Sequence, residues 1–223
     1  MGIISIEKAN NLFWLGRYSQ RVYSTLRGFY NGYDEMLDRN DTAYAAYCEA
    51  MNIPDVYGSK EVFIEKYPYD TENPDSIISN LYRAYDNALV MRDYISSESL
   101  AFIQLALFDI KSSKGSDAPL ITMQFIIDHL LAFWGCIDEN VDDIETRNLI
   151  KLGKTVEELD IELRMKRESA AVKRCFDRMN TYMRHTDIAY NESEYYALAY
   201  EITRPDISYQ KALENLMKIY DLI

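Results

Sequence analysis

The sequence predicts an all-α fold, a helical bundle of long antiparallel helices with short additional helices between them. Apolar residues recur at three- and four-residue steps along several long segments, which is the period of one helix face. No segment sustains the two-residue alternation of a half-buried strand. Only 8 glycines and 5 prolines occur among 223 residues, so few positions force the backbone out of a helix. A hydrophobic share of 48% with 13% aromatics excludes a disordered chain. This length can bury a core without disulfides or metal staples, and one domain over residues 1–223 is expected.

The elements follow in order. Ser5 can cap a helix beginning at Ile6. Leu12, Leu15, Val22, Leu26, Phe29, Tyr33 and Leu37 then mark one face until Asp38 to Asp41. Thr42 to Met51 reads as a short helix closed by Ile53-Pro54, and Ser59 to Tyr67 as another; Pro68 to Asn73 reads as a loop. Asn73 followed by Pro74 predicts a helix start, a capping side chain before proline at the first helical position. In that helix Ile78, Leu81, Tyr85, Ala88, Arg92 and Ile95 share a face. Ser96 can cap the next helix, Ser97 to Lys111, before a polar turn from Ser112 to Asp117. Pro119 opens an apolar helix running to Glu139. After the acidic run from Asp138 to Asp143, a helix carries Leu149, Leu152, Val156, Leu159 and Leu163. Further helices are expected over Ala170 to Met183, Glu192 to Ile202 and Ser208 to Leu222, the last two separated by Pro205.

Composition bounds the chemistry. A formal net charge of −12 disfavours a broad phosphate-binding surface, so no nucleic-acid partner is expected. Cys48, Cys136 and Cys175 are odd in number and form no Cys-x-x-Cys pair, which points to a reducing, cytoplasmic setting. The start of the chain develops no apolar signal region, because Glu7, Lys8, Asn10 and Asn11 follow at once. The most apolar stretch, Leu120 to Ile137, holds Gln124, Asp128 and His129, which favours a core helix over a membrane span. No Glu-x-x-His pair, glycine-rich phosphate loop or calcium-loop spacing occurs, so neither metal nor cofactor is expected. If the acidic run were helical throughout, Asp138, Asp142 and Glu145 would share a face; solvated or ion-paired carboxylates are their ordinary reading. His129 and Asp128, adjacent on a helix, diverge by about 100° and form no dyad.

Residues 11 to 17 read N-L-F-W-L-G-R and residues 148 to 154 read N-L-I-K-L-G-K; at the same offset, Leu26-Arg27 matches Leu163-Arg164. Glycine inside a helix costs about 1 kcal/mol relative to alanine. Gly16 and Gly153 therefore predict a place where two helix axes approach closely.

The segment N-N-L-F-W-L-G-R-Y-S-Q-R resembles the opening of the alpha-E domain, a bacterial helical family of unknown function, whose pattern runs Asn-Leu-Tyr-Trp-Leu-Gly-Arg-Tyr-x-Glu-Arg. Asn11, Leu12, Trp14, Leu15, Gly16, Arg17, Tyr18 and Arg21 match it. Ala84 to Glu98 resembles a second family segment through Asn87, Ala88, Arg92, Asp93, Ser96 and Glu98, and Leu152 to Glu158 resembles a third. The family's Glu-Arg pair is Gln20-Arg21 at the first site and Glu157-Glu158 at the last, and Tyr85 and Leu89 replace arginines of the middle one. The resemblance implies association with ATP-grasp-like ligases and transglutaminase-like peptidases, and hence a protein partner of the peptide-ligase or peptidase kind.

Two functional readings stay open. In one the chain is a non-catalytic helical partner of a peptide-ligating or peptide-processing enzyme. In the other a site between helices, drawn from Arg17, Arg21, Arg92, Asp93, Glu98, Glu157 and Glu158, binds or transforms an anionic or peptide substrate. On the first helix Asn10, Trp14, Arg17 and Arg21 line up roughly opposite the apolar stripe, either as a solvated face or as a second buried or cleft-lining face on which the two arginines meet carboxylates or an anionic ligand. Arg92 falls inside the apolar stripe of its helix. It is therefore expected to be mostly buried and paired with a carboxylate of another helix, Glu157 or Glu158 first.

Overall fold

The computed structural model describes residues 4–38, 41–116 and 118–220, leaving out the side chains of 31, 33–38, 41, 42 and 119. The described elements are ten α-helices and a short 3-10 turn, with no strand. In order these are α1 (Ile6–Asp38), α2 (Asp41–Met51), α3 (Lys60–Lys66), the 3-10 turn (Tyr67–Tyr69), α4 (Ile77–Val90), α5 (Ser97–Ser113), α6 (Pro119–Asn140), α7 (Ile144–Arg164), α8 (Ser169–Met183), α9 (Glu192–Thr203) and α10 (Tyr209–Ile219). The chain divides into two compact units. One combines the residues up to Arg17 with those from Asp143 onward; the other runs from Tyr18 to Asp142.

Side-chain caps set several helix starts, the expected Ser96 among them. Ser59, Ser96 and Asp143 each accept a bond from the backbone N–H three residues on, at Val62, Ser99 and Thr146. The bonds from Thr146 hold the Asp143 carboxyl below the usual carboxylate range. Asn73 does not cap α4. Its side-chain oxygen accepts from the Asp75 N–H at 2.9 Å, closing a tight turn, and Ser76 becomes the cap instead. The acidic run is not continuously helical either. Val141 closes α6 and Asp143 caps α7, so Asp138, Asp142 and Glu145 lie on no common helix face. The expected ends at Asp41 and Leu222 fall on residues outside the described side chains or outside the description, as do the stripe positions Tyr33 and Leu37 and the turn residue Asp117.

In the first unit, α7 packs on α8 and α10, and α9 on α10 and α8. Leu149, Leu152, Val156, Leu159 and Leu163 are all buried, as the stripe predicts. Leu12, Phe13 and Leu15 of α1 join this core, with the Phe13 ring 4.8 Å from that of Tyr220. In the second unit, Val22, Leu26 and Phe29 continue the α1 stripe as buried residues. An aromatic cluster fills the space around Phe63, which stacks on Tyr67 at 4.7 Å with Tyr44, Tyr47 and Tyr57 against it. Buried hydroxyls of the cluster find acceptors: Tyr47 donates to Thr25 O at 2.8 Å, Tyr67 to Asp75 O at 3.1 Å and Tyr44 to Asp55 Oδ2 at 3.0 Å.

The apolar helix α6 is not a core helix on all sides. By length and composition it could cross a membrane, with a mean hydropathy of 1.6, yet only 39% of its apolar window is buried. It pairs with α5 across the short turn after Ser113 and leaves Ile121, Phe125 and Leu131 exposed. Gly135 lies within this helix, exposed, and a Cβ there would meet nothing within 4 Å. Gly135→Ala should therefore raise stability by up to about 1 kcal/mol through helix propensity alone. A urea midpoint at or below that of the wild type would contradict this.

Candidate functional site

The predicted close approach between the two glycine-bearing helices is present. A Cβ built on Gly16 would lie 2.0 Å from the Ile150 carbonyl oxygen, and one on Gly153 would lie 1.9 Å from that of Phe13. Backbone meets backbone, so only glycine fits at either position. One turn beyond this crossing, Glu157 lies on the same α7 face as Gly153, within reach of Arg17.

Arg17 donates from Nε and Nη2 to one carboxylate oxygen of Glu157, at 3.0 and 2.8 Å. Its Nη2 also lies 3.5 Å from Asp160 Oδ2. The other oxygen of Asp160 accepts from Arg164 Nε, one turn further along α7. Side-chain exposure is 16% for Arg17, 2% for Glu157, 2% for Asp160 and 13% for Arg164. Guanidinium and carboxylate groups thus alternate along a largely desolvated seam, the arrangement that makes buried charge tolerable. The Arg17 guanidinium also lies 5.0 Å from the centre of the Trp14 ring, which accounts for a large aromatic on the polar side of α1. Of the two readings of that side, a packed polar seam holds for Trp14 and Arg17.

Glu158, Arg92, Asp93 and Glu98 pair elsewhere. Glu158 points to α8, where its carboxylate lies 2.8 Å from Arg178 Nη2. That guanidinium also donates to the buried Cys175 sulfur at 3.2 Å. Burial raises the Glu158 carboxyl above its usual range, more than Arg178 and Lys154 lower it. With a raised folded-state value, the unfolded chain loses its proton first as pH rises, so this group lowers stability between its unfolded pKa and its higher folded one. Glu158→Gln should flatten the stability decline across that window; an unchanged pH profile would show that Glu158 does not titrate as described.

Arg92 is corrected outright. Its side chain is 65% exposed and its ion-pair partner is the adjacent Asp93 at 3.8 Å, itself 84% exposed. The reason is local. α4 ends at Val90, Met91 takes the closing position at ψ 13°, and the chain leaves the helical phase before Arg92. Burial in that turn passes to Met91 and Ile95. Glu98 lies near the start of α5 and accepts from Asn140 Nδ2 at 3.0 Å. Arg21 is half-buried in the second unit, and beside it the Gln20 amide is buried and donates to Ser24 at 2.9 Å.

Three participants escaped the sequence reading. Asp160 and Arg164 were legible in principle, because Gly153, Glu157, Asp160 and Arg164 follow at four-, three- and four-residue steps on one face. The third is Asp109, whose carboxylate lies 2.9 Å from His129 Nε2 across the α5–α6 pair. Nothing local in sequence marks a partner twenty residues away. Among the described residues no three His, Cys, Asp or Glu side chains gather as metal ligands. A cleft of about 580 Å³ opens beside Lys66, Asp70 and Lys114, and none of the sequence candidates lines it.

Compared with known proteins, residues 7–199 match the sequence profile of the Alpha-E family, described as a predicted alpha-helical domain with a conserved ER motif. No curated protein and no solved structure matches the chain. The matched span contains both motif-like sites, Gln20-Arg21 and Glu157-Glu158, together with the Arg17–Glu157 seam. The chain belongs to the Alpha-E family.

Proposed function

We propose that this protein is a non-catalytic helical partner of a peptide-ligating or peptide-processing enzyme, of the ATP-grasp-like or transglutaminase-like kind. The observation that supports this reading is how the motif-matching charges are used. Arg17 and Glu157 bond to one another, and Asp160 and Arg164 extend the seam along α7. Groups engaged in this way hold α1 to α7 and present little to a substrate. Glu158, Glu98 and the Arg92–Asp93 pair make separate contacts outside this seam, so activity is expected to be expressed through surfaces.

The test is to purify the chain with the ATP-grasp-like or transglutaminase-like protein encoded beside it. Size exclusion with light scattering should show a complex, and the enzyme's peptide-bond chemistry should depend on it. Peptide ligation or hydrolysis by the purified chain alone would overturn the proposal, as would failure to associate at tens of micromolar.

A further inference from the structure

Among the described residues, the α5–α6 pair carries large apolar side chains that stay exposed. His129 sits half-buried with its Nε2 2.9 Å from Asp109 Oδ2 and its ring 6.3 Å from that of Phe102, which fixes the side of the pair on which all three lie. Helical spacing extends that side. Leu105 falls between Phe102 and Asp109, and Phe108 lies one turn from Leu105. Phe125 and Ile121 lie one and two turns before His129. Leu105 is 44% exposed, Phe108 67%, Ile121 60% and Phe125 52%. Two packed helices that both turn large apolar side chains outward form a groove of the type that receives a third helix.

The surroundings of this groove are acidic. Glu98, Asp128 and Glu139 are exposed on the same two helices, with Asp109 half-buried between them. Of the cations on these helices, Lys111 has its ammonium 4.9 Å from the centre of the Tyr82 ring. The chain as a whole carries −12, which opposes a second copy and an anionic bilayer alike.

We propose that the α5–α6 face is a docking groove for a basic amphipathic helix of a partner protein, its apolar stripe lying over Leu105, Phe108, Ile121 and Phe125 and its cations meeting the acidic surroundings. This deepens the partner reading above and rests on it.

The probe is a fluorescent synthetic helix of about 18 residues, five turns, with leucines on one face and lysines flanking them. A twin peptide carries glutamates in place of the lysines. The wild-type chain should bind the lysine peptide at least tenfold more tightly than the glutamate twin. Phe108→Glu/Phe125→Glu should weaken binding at least tenfold while leaving the circular dichroism and melting midpoint unchanged, since both side chains are exposed. Those substitutions add negative charge, so an association driven by charge alone would tighten instead, and that result would overturn the proposal. Glu98→Lys/Glu139→Lys should narrow the preference between the two peptides; an unchanged preference would overturn the charge assignment. Binding of the wild type to neutral phosphatidylcholine vesicles, lost in Phe108→Glu/Phe125→Glu, would assign the face to a bilayer and overturn the groove. Dimerisation lost in the same variant would assign it to a second copy with the same consequence. If the neighbouring enzyme forms a complex that survives Phe108→Glu/Phe125→Glu, the partner reading stands and this surface falls. If the peptide binds as described but no enzyme complex forms, the surface stands and the enzyme partner falls.

Discussion

Gly153→Ala should destabilise the protein by about 3 kcal/mol, the upper end of the ordinary overpacking range. Its Cβ would lie 1.9 Å from the Phe13 carbonyl oxygen, and a backbone atom cannot rotate out of the way as a side chain can. Helix propensity works in the other direction, since alanine is favoured over glycine by about 1 kcal/mol. The expected net loss therefore reads as steric, and the contrast with Gly135→Ala isolates it: the same substitution, in another helix interior, with the opposite sign. Gly16→Ala should behave like Gly153→Ala, because its Cβ meets the Ile150 carbonyl oxygen at 2.0 Å. Urea titration of the three variants measures all of this. A Gly153→Ala midpoint equal to that of the wild type would mean that α1 and α7 do not cross at these glycines.

Arg17→Leu should cost about 3–5 kcal/mol, because it removes the guanidinium that the buried carboxylates of Glu157 and Asp160 share. The double variant Arg17→Leu/Glu157→Leu removes one charge of each sign and keeps the Asp160–Arg164 pair. It should regain much of the loss, and a double-mutant cycle gives the coupling directly. Arg92→Leu, by contrast, should leave the melting midpoint nearly unchanged, since that side chain is mostly in water. If Arg17→Leu were as mild as Arg92→Leu, the seam would not hold the helices together, and Arg17 would be available for other work.

The helices were legible because their apolar stripes are long and their caps conventional. The α7 stripe from Leu149 to Leu163 is buried residue for residue. The glycine echo was legible for a sharper reason, since an unfavourable residue repeated inside two helices requires a compensating contact, and the structure supplies it. Arg92 was misread because a helical angle is valid only while the helix lasts, and no glycine or proline announces that α4 stops at Val90. Asn73 was misread because the same side chain that caps a helix can close a turn two residues on, and Ser76 stands ready to take over. The Arg17–Glu157 pair was half legible: both residues were candidates, but periodicity within one helix says nothing of which helix lies opposite. His129–Asp109 was illegible for the same reason.

The discontinuous make-up of the first unit has a consequence for biosynthesis. Tyr18 to Asp142 is a contiguous stretch, so the second unit has all its residues once Asp142 has left the ribosome. Leu12, Phe13, Leu15 and Arg17 are made before it, yet their partners on α7 and α10 come well over a hundred residues later. Until Ile150, Gly153 and Glu157 emerge, the leading turns of α1 display an apolar and cationic surface with nothing to receive it. A nascent chain arrested once Asp142 has cleared the ribosome should therefore hold a protease-resistant middle behind a cleavable, chaperone-binding front, and that front should become resistant only after α7 and α10 have emerged.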